Sequence, residues 1–215
     1  MTVRAKICGI RQPEVLEAAV NHGAAAIGLV FFPRSPRNVS AGEAASLAAA
    51  APPDITVVGL FVDPTDEALE TLLDTVRLDL LQLHGSESPA RVAEIKRRTG
   101  RPAMKAIKVS GPQDLALAED YAGIADRLLF DAKAPSSGGD YMPGGNALSF
   151  DWRILAGRDW PSPWMLSGGL TPENVAEAVR ASGAPGVDVS SGVEAAPGIK
   201  DPARVAAFLA AVAAL

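Results

Sequence analysis

The chain has 215 residues, 48% hydrophobic and 21% charged, with a formal net charge of −5. This composition suits one folded domain over residues 1–215 with a sizeable core, and it excludes a disordered chain. The mild acidity excludes the clustered Lys and Arg that a nucleic-acid surface needs. Cys8 is the only cysteine, so no disulfide forms within the chain, which suits a reducing compartment. The N-terminal segment is too broken by charge for a secretory signal. No apolar stretch reaches the ~20 residues of a membrane span. The expectation is a cytoplasmic protein with neither a membrane nor a nucleic-acid partner.

In chain order, the first apolar run covers residues 3–8. A helical pattern over 14–22 follows Pro13 and stops at Gly23. Further strand-length runs lie at 26–31, 56–62 and 78–83. A second helical pattern, 89–98, stops at Gly100, and apolar runs resume at 104–109 and 127–131. A longer gap follows, and its Gly-rich segment 134–146 predicts a mobile loop after the sixth strand. The seventh run is 164–167. Thr171 as N-cap and Pro172 at the first helical position predict a helix that ends near Gly183. The eighth run is 186–190. Such runs, without hydrophobic–polar alternation, suit strands covered on both faces. Alternation with helices predicts a parallel sheet with right-handed crossovers. Eight units in this length predict a (β/α)8 TIM barrel. A doubly wound open sheet is the alternative, weakened because no Gly-x-Gly-x-x-Gly follows the first strand.

In such a barrel the chemistry sits at the C-terminal ends of the strands. That rule singles out Cys8, Arg34, Arg37, Asp63, His84 and Asp131. It also selects Ser167-Gly168-Gly169 and Ser190-Ser191-Gly192. Glycines let backbone amides approach an anion, and the seventh and eighth loops of this fold commonly bind phosphate. Cys8 is either an inert core thiol or a rim nucleophile or base. Asp131 ends an apolar strand, which suits a general acid, an N-cap or a rim ion pair equally. Arg37, between prolines, is either solvated or a carboxylate clamp. His84 reads as a structural rim residue. Asp188, on a strand, needs a polar ligand or a partner. Cys8, His22 and His84 show no metal-ligand spacing.

Together these segments resemble phosphoribosylanthranilate isomerases. The resemblance is carried by Lys6-Ile7-Cys8-Gly9-Ile10, Gly28-Leu29-Val30-Phe31, Ser35-Pro36-Arg37 and Leu81-Gln82-Leu83-His84-Gly85. It continues in Leu129-Phe130-Asp131, Gly144-Gly145-Asn146, Phe150-Asp151-Trp152, Leu166-Ser167-Gly168-Gly169-Leu170 with Asn174-Val175, and Val187-Asp188-Val189-Ser190-Ser191-Gly192-Val193-Glu194. Gly-Gly-Asn-Ala stands where the family often has Gly-Gly-Thr-Gly. The resemblance implies tryptophan biosynthesis, with conversion of N-(5-phosphoribosyl)anthranilate to 1-(2-carboxyphenylamino)-1-deoxyribulose 5-phosphate by an Amadori rearrangement. It implies no metal or organic cofactor, and either a monomer or a homodimer. It implies Asp131 as general acid and Cys8 as general base, its thiolate favoured by nearby loop cations. Arg37 would hold the anthranilate carboxylate. Gly168, Gly169, Ser191 and Gly192 would hold the phosphate, and Asp188 would support the aryl end. The rivals are another phosphosugar barrel such as a lyase, an epimerase or the histidine-pathway isomerase (the last expected to carry Asp where Cys8 stands), a Schiff-base aldolase using Lys6 or Lys108, and a phosphometabolite-binding module without turnover.

Overall fold

All eight apolar runs form strands, and the strands close on themselves. The computed structural model describes residues 2–133, 144 and 148–215, so the loop expected over 134–146 lies outside the described residues except for Gly144. The strands are β1 (Arg4–Cys8), β2 (Ala26–Phe31), β3 (Thr56–Phe61), β4 (Leu80–Leu83), β5 (Ala103–Val109), β6 (Arg127–Ala132), β7 (Trp164–Leu166) and β8 (Gly186–Val189). They pair in sequence order as a closed barrel, and β1 meets β8 in parallel with Lys6 opposite Asp188. Helices α1 (Pro13–Asn21), α2 (Ala41–Ala50), α3 (Asp66–Leu73), α4 (Pro89–Thr99), α5 (Val175–Ser182) and α6 (Pro202–Ala213) occupy the crossovers. Two crossovers carry 3-10 turns instead, Pro112–Tyr121 after β5 and Trp152–Leu155 after β6. An antiparallel pair, β9 (Glu194–Ala196) and β10 (Ile199–Lys200), lies between β8 and α6. None of the described helices is long and apolar enough to cross a membrane.

Strand alternation splits the core. Outward side chains such as Ile7, Ile27, Leu81 and Phe130 join the helix-facing cluster. Val58, Leu80, Met104, Ala106 and Leu129 form a separate, smaller cluster that fills the ring. Above it the inward positions turn polar: Lys6, Gln82, Asp131 and Asp188 are buried on four different strands. An apolar floor under a buried polar layer places the chemistry at the C-terminal mouth.

One expected helix start moves. Regular α5 begins at Val175, but Thr171 keeps the capping bonds expected of it: its Oγ1 accepts from Glu173 N (3.3 Å) and its carbonyl from Val175 N (3.1 Å). The Asn174 side chain braces the same turn: Oδ1 accepts from Thr171 N (2.8 Å) and Nδ2 donates to Gly169 O (2.9 Å).

Asp114 anchors the segment after β5. Its carboxylate accepts from Ser110 N (2.8 Å), Ser110 Oγ (2.7 Å) and Lys133 Nζ (3.1 Å). Burial works against the charge, but the Ser110 and Lys133 bonds outweigh it and hold the carboxyl at about 2. A carboxyl depressed on folding stabilises the native state above its unfolded value, and that contribution fades as pH falls through the folded value. Stability is therefore expected to drop between about pH 4 and about pH 2. Asp114→Asn should flatten that drop in chemical denaturation series; an equally steep acid limb in the variant would contradict it.

Candidate active site

A cleft of about 490 Å³ opens at the C-terminal mouth. Cys8 of β1 and Asp131 of β6 both line it and both are 4% exposed. Asp131 lies within β6 and is no N-cap; of the alternatives left open, the rim pairing is present, with His84 as partner. Its Oδ2 lies 3.0 Å from His84 Nε2, and His84 Nδ1 lies 2.9 Å from Gln82 Nε2. Gln82 and His84 are two apart on one strand, so they share the barrel-facing side. A Gln82 amide that donates to Nδ1 leaves the ring proton on Nε2, directed at Asp131. Oδ2 then accepts from His84. Gly144 covers this pair: a Cβ there would sit 2.8 Å from His84 Nε2 and 3.0 Å from Asp131 Oδ2.

Cys8 sits over a second polar cluster. Lys6 Nζ donates to Asp188 Oδ1 at 2.8 Å, and both residues are almost fully buried. Burial pushes the Cys8 thiol up. Lys6 and Lys200 oppose that rise, and Asp188 adds to it. The cations beside the thiol therefore come from β1 and β10, not from the loops as the sequence suggested. Burial would depress the Lys6 ammonium, but Asp188 and Cys8 outweigh it and hold it above its ordinary value. A Schiff-base lysine needs the neutral amine, so Lys6 is set against that chemistry.

The space between these groups depends on Gly28 of β2. A Cβ on Gly28 would lie 2.9 Å from Cys8 Sγ and 3.2 Å from Lys6 Nζ. We expect Gly28→Ala to displace the thiol, costing roughly 1–3 kcal/mol of stability by overpacking. Turnover should fall by more than the loss of folded protein explains. Specific activity per folded molecule that matches the parent would contradict this.

Arg37 is buried, not solvated. Its Nε donates to Glu194 Oε1 (2.7 Å) and its Nη2 to Glu194 Oε2 (2.9 Å). Lys200 reaches the same carboxylate at 2.6 Å. Burial alone would raise the Glu194 carboxyl, but Arg37 and Lys200 hold it below its ordinary range. Among the described residues, Arg37 and Lys200 both contact the Glu194 carboxylate at this end of the cleft. Bare Gly9 lets the Arg37 side chain pack close, since a Cβ there would meet Arg37 Cδ at 2.9 Å. Arg34 is exposed. Asp63 serves a turn, its Oδ1 accepting from Ser86 N at 2.7 Å.

A second lobe of about 340 Å³ adjoins the cleft through shared Asp131, Ser167, Asp188 and Ser190. Gly168, Gly169 and Ser191 form its far wall. Gly168 and Gly169 have φ of +90° and +67°, which side-chain-bearing residues avoid. Gly192 lies just beyond, where any Cβ would run into the Leu170 carbonyl. Gln82, Glu194 and Lys200 escaped assignment to the site from sequence, while His84 was read only as a structural rim residue and Lys6 only as a rival Schiff-base lysine. For Lys6, Gln82 and His84 a signal was present, because polar residues spaced two apart on an apolar strand share its inward face.

A (β/α)8 barrel with a buried polar cleft at its C-terminal mouth, beside a Gly-walled lobe at loops seven and eight, has the architecture of a barrel enzyme. The profile of the family described as PRAI: N-(5'phosphoribosyl)anthranilate (PRA) isomerase matches residues 5–211. The N-(5'-phosphoribosyl)anthranilate isomerase of Paramagnetospirillum magneticum is 60% identical over 211 residues, covering 98% of this chain and 97% of its own. The structure of mutually generated monomers of the dimeric Thermotoga maritima isomerase superposes with a TM-score of 0.83 at 33% identity, covering 99% and 100% of the two chains. A phosphoribosylanthranilate isomerase in complex with reduced 1-(o-carboxyphenylamino)-1-deoxyribulose 5-phosphate gives 0.84 at 36% identity, again over 99% and 100%. The chain belongs to the N-(5'-phosphoribosyl)anthranilate isomerase family, enzymes of tryptophan biosynthesis.

Proposed function

We propose that this chain, as one catalytic domain, carries out the Amadori rearrangement with Asp131 as general acid and Cys8 as general base. The observation that carries the assignment is that these two buried groups, from β6 and β1, line one cleft. Asp131 gives a proton to the ribose ring oxygen. The C1–O bond breaks as the anilino nitrogen lone pair forms an iminium. The Cys8 thiolate removes the C2 proton. The C2–H pair becomes the C1–C2 double bond, and the iminium electrons return to nitrogen. The resulting enolamine gains a proton at C1 and loses one from the C2 hydroxyl to give the ketose. No hydride carrier is needed, because the oxidation of C2 and the reduction of C1 occur within one molecule.

The second lobe suits the phosphate, with Gly168, Gly169, Ser191 and Gly192 supplying its backbone and hydroxyl donors. Binding energy there, away from the reacting carbons, fixes the sugar for proton transfer. Arg37, a buried guanidinium that lines the cleft, suits the anthranilate carboxylate, and Asp188 supports the aryl end through its barrel-facing position. Arg37→Met should raise KM at least about tenfold, the scale of one charge-assisted hydrogen bond, with a smaller change in kcat. An unchanged KM would remove Arg37 from substrate binding. The whole reading is tested by following the fluorescence of the anthranilate-ribosyl substrate on adding purified protein. Its loss is expected; a steady signal would reject the assignment.

A further inference from the structure

We propose that Lys6 is a positioning residue for the base: its buried ammonium, steered by Asp188, sets how readily the Cys8 thiol ionises. The inference rests on Cys8 acting as the base. Lys6 and Cys8 are two apart on β1, so both point into the barrel. The ammonium and the sulfur border the same Cβ-sized gap over Gly28, 3.2 Å and 2.9 Å from its centre. Lys6 is fully buried, and burying an ion costs several kcal/mol even when it is paired. The apolar cluster just below shows that this barrel fills its interior without charge elsewhere. A charged pair directly beneath the thiol is therefore placed for electrostatics, not for filling.

Its two members act on the thiol with opposite sign. Lys6 favours the thiolate, and Asp188 disfavours it. Lys200 is the next cation, connected through Ser190: Lys200 Nζ to Ser190 Oγ is 3.3 Å, and Ser190 Oγ to the Cys8 carbonyl is 3.1 Å. Glu194 pairs with Lys200 and partly cancels its charge, and the same carboxylate also pairs with Arg37. Asp131 and His84 line the same cleft from β6 and β4. Among these, only the Lys6–Asp188 pair lies beneath the thiol inside the barrel, so their balance sets its ionisation.

The test reads the thiol directly, without substrate. Cys8 is the only cysteine, so thiolate ultraviolet absorbance against a Cys8→Ser blank reports one group. Asp188→Asn should raise the thiolate fraction at a given pH roughly tenfold or more, the scale of one neighbouring charge. Lys6→Met should lower it, and Lys6→Arg should restore most of it. The acidic limb of the kcat–pH profile should move to lower pH in Asp188→Asn and to higher pH in Lys6→Met. A purely structural pair would move both variants the same way, or neither, and either result overturns the proposal. If Lys6→Met does not fold, Asp188→Asn and Lys6→Arg decide it alone. Failure of the base assignment is a separate result: Cys8→Ala would then turn over normally while the thiol titrations of the other variants stay as expected.

Discussion

Replacing Asp131 by asparagine is expected to lower kcat by ~10²-fold or more, the range for removing a general acid, with a smaller change in KM. The substitution keeps size and planarity. An asparagine carbonyl oxygen can still accept from His84 Nε2, the bond that holds Asp131 Oδ2 at 3.0 Å. The side chain thus stays in position and loses only its transferable proton. The proposed assignment gives the substrate's phosphate and carboxylate to other residues, so KM should move less. Thermal melting close to the parent would confirm that the loss is chemical. Near-normal turnover would show that ring opening takes its proton from another group. A loss spread equally over KM would assign Asp131 to binding instead.

The barrel was legible because its strands are covered on both faces and so read as uninterrupted apolar runs. The catalytic rim was legible because strand ends were. Cys8 and Asp131 could be singled out for that reason, and the Gly168-Gly169 turn because its backbone conformation demands glycine. What the sequence hid are the partnerships made by closing the ring. Lys6 and Asp188 are 182 residues apart, Arg37 and Glu194 157, and His84 and Asp131 47. No local periodicity encodes such pairs. They exist because β1 meets β8, because the β9–β10 pair folds back over the loop after β2, and because inward positions of β4 and β6 face one cleft. Thr171 was legible for the opposite, local reason: threonine before proline matches a helix start, and its hydroxyl and carbonyl do cap the turn that leads into α5, although the regular helix is reached only at Val175.

Those ring-closing partners make the thiol the second decisive group. Cys8→Ser is expected to lower kcat by ~10²-fold or more, with Cys8→Ala at least as slow. Serine is nearly isosteric, so the Gly28 gap and the Lys6–Asp188 pair beneath it should persist. Its hydroxyl ionises far less readily than a thiol, and the same burial that pushes the Cys8 thiol up would push that hydroxyl further. The direction of the pH effect follows. A base must be unprotonated, so kcat in the parent should rise with pH towards the raised thiol ionisation, and that rise should vanish in Cys8→Ser. Substrate deuterated at C2 should react more slowly in the parent, because the proposed step at Cys8 breaks that bond. A serine variant that keeps both the rate and the pH rise would mean that another group abstracts the C2 proton. The buried Asp188 carboxylate would then be the first to examine, since it lines the same cleft.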